Sequence, residues 1–177
     1  MFYMNFILVA MLSAACCYGQ SSNDAAPDRP LQRFCVAAEG FFASGAGGGA
    51  VEAGYRINSR ITAGVGVGYA AHSGDNYKGK VIPLFAGARA NILNSALSPY
   101  VAVAVGAGID AYTNTDTFST KRGVTTTAVK HSAVWTYFNA AAGVYWQCTG
   151  RLAVTAAAAY NNIANAPGLT VGVALTL

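Results

Sequence analysis

Two short segments combine a histidine with a serine, the residue types that act as general base and nucleophile in acyl-transfer chemistry. His72 and Ser73 lie close to Asp75, and His131 is followed by Ser132. A nucleophilic serine needs a base within hydrogen-bonding reach and a third group that orients the base. Both segments are polar and lack a rigid element to hold such a triad. The sequence therefore favours solvated loops here and leaves a lipid-modifying enzyme as a remote alternative.

A second set of residues combines charges of both signs. Each member lies opposite the apolar positions of its own alternating segment: Glu39, Glu52, Arg56, Arg89 and Asn139. If these segments are strands of a closed sheet, the set points into an enclosed interior, where an isolated charge is costly. We predict an internal salt-bridge network that fills this interior. The alternative is a gate or a narrow path for ions or small solutes.

Metal, cofactor and nucleic-acid chemistry has no signature in the chain. The two histidines are far apart and no carboxylates cluster beside them, so a zinc site is not predicted. A net charge of +4 is small and scattered, which argues against a nucleic-acid partner. We expect no cofactor, no metal and no nucleic acid.

The elements that position these residues are clearest between Tyr100 and Tyr112, in the stretch YVAVAVGAGIDAY. Branched aliphatic residues and Ala107 occupy every second position, and tiny residues or Asp110 occupy the others. Side chains of a strand alternate between its two faces. An aliphatic face combined with a small face is typical of a strand that meets lipid on one side and lines a narrow barrel on the other. The role of Asp110 stays open.

Seven more segments repeat this alternation, which gives eight strands: 33–44, 49–57, 61–71, 80–91, 100–112, 133–147, 152–160 and 168–177. Tight turns are predicted at 58–60 and 148–151 and a fairly short connection at 92–98. Longer polar loops are predicted at 45–48, 72–79, 113–132 and 161–167. Short turns at one end and longer loops at the other are the outer-membrane arrangement. We predict an all-β fold, an eight-stranded antiparallel up-and-down transmembrane β-barrel.

Composition agrees with a membrane barrel. Hydrophobic residues make up 54% of the chain and charged residues 10%, where a soluble domain has about 25% charged residues. Beyond the N-terminus no apolar run approaches the roughly 20 residues that a membrane helix requires. A chain that is this apolar and has no predicted membrane-spanning helix is expected to cross a membrane with strands.

The N-terminal segment differs in composition from the predicted barrel domain. Residues 1–19 read as a signal peptide with an apolar run, cleaved after Gly19. The alternatives are a lipoprotein signal acylated at Cys16 and a retained anchor. Residues 20–32 contain Pro27 and Pro30 and are predicted to be a flexible lead-in, so the barrel domain spans 33–177. Export leaves two cysteines, Cys35 and Cys148, as either inert thiols or one disulfide.

Aromatic and basic residues mark the expected membrane boundaries. Five aromatic residues near strand ends are predicted to form interfacial girdles on the lipid face: Tyr55, Tyr69, Tyr100, Trp146 and Tyr160. The longest predicted loop is basic through Lys121, Arg122 and Lys130. This charge is either simply solvated or in contact with anionic lipopolysaccharide phosphates or an acidic surface partner.

At the level of whole segments the chain resembles a known group. VEAGYRINSRITAGVGVGY (Val51–Tyr69), VIPLFAGARANILNSALSPYVAVAVGAG (Val81–Gly108) and the closing GLTVGVALTL are similar to small outer-membrane β-barrels of the "porin family" or OmpA-like type, in the variety of Bacteroidetes-type bacteria. Members usually end in Phe, which the barrel-assembly machinery recognises, and Leu177 stands in that place here.

The resemblance implies an integral protein of the outer membrane of a Gram-negative cell. We expect a non-enzymatic structural or surface-contact role, with a narrow porin-like channel as the alternative. The expected partners are outer-membrane lipid, lipopolysaccharide and, during insertion, the assembly machinery. We expect the protein to be a monomer.

Overall fold

The computed structural model describes residues 33–74, 77–120 and 123–177, so the predicted signal peptide and lead-in lie outside the described residues. The described part contains these strands: β1 Phe34–Ala43, β2 Ala46–Arg56, β3 Ile61–Ser73, β4 Tyr77–Asn91, β5 Leu97–Thr120, β6 Gly123–Gln147, β7 Leu152–Asn161 and β8 Ala166–Thr176. Each pairs antiparallel with the next, and β8 pairs with β1. The prediction of an eight-stranded antiparallel barrel is confirmed.

No helix in the described part of the chain has the length and hydropathy to cross a lipid bilayer.

The period-two pattern of the sequence decides which side chains enter the barrel. On β5, Val101, Val103 and Val105 are about half exposed on the outer face, whereas Ala104 between them is 9% exposed. The other strands follow the same rule, because alternation along an extended backbone sends neighbouring side chains to opposite faces.

The strands are staggered around the barrel. Following paired inward-facing residues from Cys35 through the strands leads to Ala166 of β8. When the β1–β8 register is extended two residues past Ala43, Ala166 is level with Gly45, ten residues further along the chain than Cys35. Such a stagger requires the strands to tilt, by about 40° in barrels of this kind. An eight-stranded barrel has an interior just wide enough for side chains to fill.

The turns beside the chain termini are short and held by side chains. The Asn58 carboxamide oxygen accepts hydrogen bonds from the backbone N–H groups of Arg60 and Ile61, both at 2.8 Å. The Thr149 hydroxyl accepts one from the backbone N–H of Leu152 at 3.0 Å. Asn and Thr bond to the backbone in this way in tight turns.

The longer loops predicted at the opposite end are largely strand. The predicted loop 45–48 is a two-residue turn, Ser44 and Gly45, with Gly45 at φ +74°. The predicted loop 113–132 pairs residue by residue from Thr113 with Lys130 to Thr120 with Gly123. Its polar sequence is rich in Thr, and β-branched residues favour strands.

The result is a hairpin that extends far past the rest of the barrel. β4 pairs with β5 no further than Asn114, and β7 pairs with β6 only from Asn139 onward. Beyond Asn114 and Val129, β5 and β6 therefore form a two-stranded ribbon with no other strand beside them. The difference in length between the two ends of the molecule lies in this ribbon rather than in loops.

Candidate functional site

An apolar belt covers the outside of the barrel. On β5 the outward residues from Leu97 to Ile109 carry no charge, and the large ones among them are 47–59% exposed. This segment rises about 40 Å along the strand, and a tilt of about 40° projects it to about 30 Å along the barrel axis. That height matches the hydrocarbon thickness of a bilayer.

Aromatic side chains flank the belt at both ends. Tyr55 and Trp146 lie on the outer face near the chain termini, and Tyr69 and Tyr160 lie on it at the opposite end. Tyr100, which the sequence analysis assigned to the same girdle, is 4% exposed and faces the interior. The assignment was wrong because Tyr100 has the parity of the small inward residues of β5. Its position near a strand end does not override that alternation.

The described residues of the interior enclose a polar chamber, a cavity of about 70 Å³. Four of the five residues predicted for the internal network line it: Glu39 of β1, Glu52 of β2, Arg89 of β4 and Asn139 of β6. Arg56 lies nearer the termini, where its guanidinium is 3.5 Å from the Thr176 hydroxyl. A cavity of this size holds a few water molecules.

The charges in this chamber do not form the direct salt bridges that the sequence predicted. Within the described residues neither Glu39 nor Glu52 comes within 4.0 Å of the Arg89 guanidinium. The Arg89 guanidinium instead lies over the Tyr145 ring, 5.1 Å from its centroid. The two carboxylates interact with Arg89 through space across the chamber.

Two buried polar atoms point to water in the chamber. Arg89 Nε and Asn139 Oδ1 have no hydrogen-bond partner among the described residues. Buried polar groups are almost always hydrogen-bonded, to protein or to ordered water. We expect these two atoms to bind water in the cavity.

Apolar and aromatic layers close the chamber at both ends. Toward the ribbon, Ala70 and Val81 are paired with each other and fully buried. Toward the termini, Tyr100 and Tyr145 belong to the buried core. The interior is therefore packed on both sides of the cavity.

Glycines on the inner face make room for the large side chains. A side chain at Gly64 would collide with the Glu52 carboxylate, and one at Gly66 would collide with the Phe85 ring. Each of these large side chains extends over the neighbouring strand at a glycine, where no Cβ occupies the space. This close approach explains why runs such as Gly64–Gly68 have glycine at alternate positions, on the inner face only.

A histidine–aspartate pair lies above this packed layer, near the ribbon. His72 Nε2 and Asp110 Oδ1 are 3.1 Å apart, and both side chains are nearly buried. His72 is on β3 and Asp110 on β5, so the imidazole crosses β4 at Gly79, where a Cβ would collide with it. The sequence analysis did not connect these residues, because 38 positions separate them.

In each histidine–serine segment the two residues lie on opposite faces of a strand. His72 and Ser73 are adjacent on β3, and His131 and Ser132 are adjacent on β6. Alternation directs the two histidines inward and the two serines outward. Asp75 lies outside the described residues.

The basic residues near the ribbon are placed differently from the prediction. Lys121 and Arg122 lie outside the described residues, and Lys130 is on the wall of the barrel in β6. Two exposed lysines of β4, Lys78 and Lys80, join it on the outer face. The sequence analysis missed Lys78 because it treated 72–79 as a loop, and it did not use the register of β4 to β6, which brings Lys80 near Lys130.

The two cysteines of the domain lie apart. Cys35 is buried on the inner face of β1, and Cys148 follows β6 in a turn. They are not joined by a disulfide bond.

Two solved structures have the same architecture. The N-terminal β-barrel domain of Pseudomonas aeruginosa OprF aligns with a TM-score of 0.50 and 17% identity, covering 83% of this chain and 98% of that one. Neisserial surface protein A, NspA, aligns with a TM-score of 0.55 and 17% identity, covering 81% of this chain and 97% of that one. Both are outer-membrane barrels. This chain shares their fold.

At these identities the likeness extends to the fold alone. No protein-family model matches the chain, and no curated protein matches its sequence significantly. The OmpA-like barrel architecture is supported, whereas membership of the "porin family" and the Bacteroidetes-type variety stay predictions.

Proposed function

We propose that this chain is an integral outer-membrane protein that acts as a non-enzymatic scaffold and presents its ribbon end to the cell surface. The observation that carries the proposal is the combination of a charge-free apolar belt outside with a packed interior. The belt suits lipid, and the packing leaves a cavity of about 70 Å³ in place of a pore.

The orientation follows from the lengths of the two ends. Outer-membrane barrels have short periplasmic turns and longer extracellular segments. The termini and the short turns therefore face the periplasm, and the β5–β6 ribbon faces outward. Lipopolysaccharide is the expected lipid partner at that end, and the assembly machinery is the expected partner during insertion. The strands of the wall close on themselves within one chain, with β8 paired to β1, which supports a monomer.

The absence of enzymatic activity is part of the proposal. It is supported by the placement of His72 and His131 inward and of Ser73 and Ser132 outward, which separates each possible base from its neighbouring nucleophile. Acyl-chain analysis of lipopolysaccharide from cells with and without the gene tests it. A changed acyl pattern would contradict a scaffold role.

Cell fractionation and a detergent gel test the proposed location and fold. We expect the protein in the outer-membrane fraction, with unboiled and boiled samples migrating differently because a closed barrel resists detergent. Identical migration of outer-membrane samples would contradict the closed barrel, and recovery in the inner membrane would contradict the location.

A narrow channel is the second candidate, favoured by the polar chamber with its unpartnered Arg89 Nε and Asn139 Oδ1. Planar-bilayer recording separates the two functions. The scaffold predicts no reproducible single-channel steps. If steps occur, the two carboxylates and one guanidinium of the chamber predict a preference for cations.

A further inference from the structure

Three lysines form a basic patch on the outer face of the barrel, just beyond the apolar belt. They are Lys78 and Lys80 of β4 and Lys130 of β6, and we name them the lysine band. We propose that the lysine band binds the phosphate groups of anionic lipid in the outer leaflet. The inference rests on the proposed function, since it requires the barrel to span the outer membrane with the ribbon outward.

Strand register brings the three lysines together on one face. Lys78 is paired with Thr113 of β5, and Thr113 is paired with Lys130 of β6. Strands are about 4.8 Å apart, so the Cα atoms of Lys78 and Lys130 are about 10 Å apart. Lys80 follows on the same face of β4, about 7 Å from Lys78. Flexible lysine side chains from these positions can reach a single phosphorylated headgroup.

The lysine band lies at the level where a membrane changes from hydrocarbon to headgroups. The next paired row toward the membrane consists of Ile82, Ile109 and Val134, which are 45%, 47% and 73% exposed. Lys80 is one row above these residues, and Lys78 and Lys130 are two rows above them. Lysines at such positions pack their methylene groups on apolar surface and extend their ammonium groups to the headgroups. This continuity of apolar belt and cations favours a lipid over a soluble anion.

The face offers these lysines no counter-ion among the side chains that are described. The described carboxylates, Glu39, Glu52 and Asp110, all face the interior. None of these three carboxylates can therefore neutralise the lysine band from the outer face. Phosphate is the anion that lysine binds as a point charge in many proteins.

Native mass spectrometry of the full chain folded in non-ionic detergent micelles tests the proposal, with diphosphorylated lipid A as the probe. The variant K78Q/K80Q removes two charges from the band, and we expect about 25-fold weaker binding, about fivefold per charge. The matched control R60Q/R151Q removes two charges from exposed turns at the periplasmic end. We expect it to bind like the unaltered protein. K130Q alone, with an expected fivefold loss, supplies the test if the double variant does not fold.

Three results would overturn the proposal. They are equal affinity of K78Q/K80Q and the unaltered protein, equal binding of dephosphorylated lipid A, and displacement of the lipid by inorganic phosphate at an equal concentration. If the protein is in the outer membrane and its binding of lipid A does not depend on the lysines, only the proposal for the lysine band is wrong. If the protein is not in the outer membrane, the proposed function is wrong.

Discussion

A lysine introduced on the outer face of β5 tests where the membrane lies. Val103 is 55% exposed and is central between Leu97 and Ile109, the outermost large apolar residues of the belt on this strand. Ala111 is also exposed on the outer face of β5, but it pairs with Lys80 at the edge of the belt. Val103→Lys and Ala111→Lys thus place the same group on the same strand at two depths.

The depths give different expected costs. A lysine at the bilayer midplane of a membrane barrel costs about 2–4 kcal/mol, and one near the interface costs about 0–1 kcal/mol. Projection of the belt to about 30 Å puts Val103 about 15 Å from either edge. We expect Val103→Lys to lower the free energy of unfolding by about 3 kcal/mol and Ala111→Lys to lower it by less than about 1 kcal/mol.

Urea titration in phosphatidylcholine vesicles measures the difference, with tryptophan fluorescence and the mobility of unboiled samples as two readouts of folding. Val103→Leu is the control for altered shape without charge, and its unfolding free energy should stay within about 0.5 kcal/mol of the unaltered protein. Equal costs for the two lysines, or a smaller cost at Val103, would refute the assignment of this face to lipid.

Three further predictions concern the interior and the ribbon. Gly66→Val pushes a side chain into the Phe85 ring and should destabilise the barrel by about 1–3 kcal/mol, whereas Gly150→Val, in open space, should change urea unfolding by less than about 0.5 kcal/mol. Arg89→Met leaves the chamber's carboxylates without their cation and should lower the free energy of unfolding by about 3 kcal/mol. Adding Glu52→Gln in a double variant should restore part of this loss. Additive effects of the two substitutions would show that the two groups do not interact. Replacing residues 114–129 with Asn-Gly removes a ribbon that pairs with no other strand beyond Asn114, so unboiled samples should still migrate as a closed barrel. Loss of this mobility would show that the ribbon supports the wall.

The sequence was sufficient for the number of strands and for the side of the wall on which their residues lie. Alternation is a local property, so the outward position of Val101, Val103 and Val105 follows without knowledge of any other strand. The same rule places Tyr100 on the inner face. The prediction for it failed because its place near a strand end was given more weight than its parity.

Strand ends were harder to predict than strand faces. The segment 113–132 is polar, and polarity is typical of loops, but residues 113–120 and 123–130 are paired as two strands. Its Thr and Val residues favoured strand, and the closed β5–β6 pairing supplied the hydrogen bonds.

By itself the sequence determined a barrel with an apolar outer face and an inner face of small, mostly uncharged residues. This follows because the alternation of side chains between the two faces is visible in consecutive residues. Only the tertiary structure decided which distant residues meet. The pairing of His72 with Asp110, the chamber shared by Glu39, Glu52 and Arg89, and the lysine band all depend on register across several strands. Register is set by turn lengths and by closure of β8 on β1, and neither can be read from the alternation within one strand.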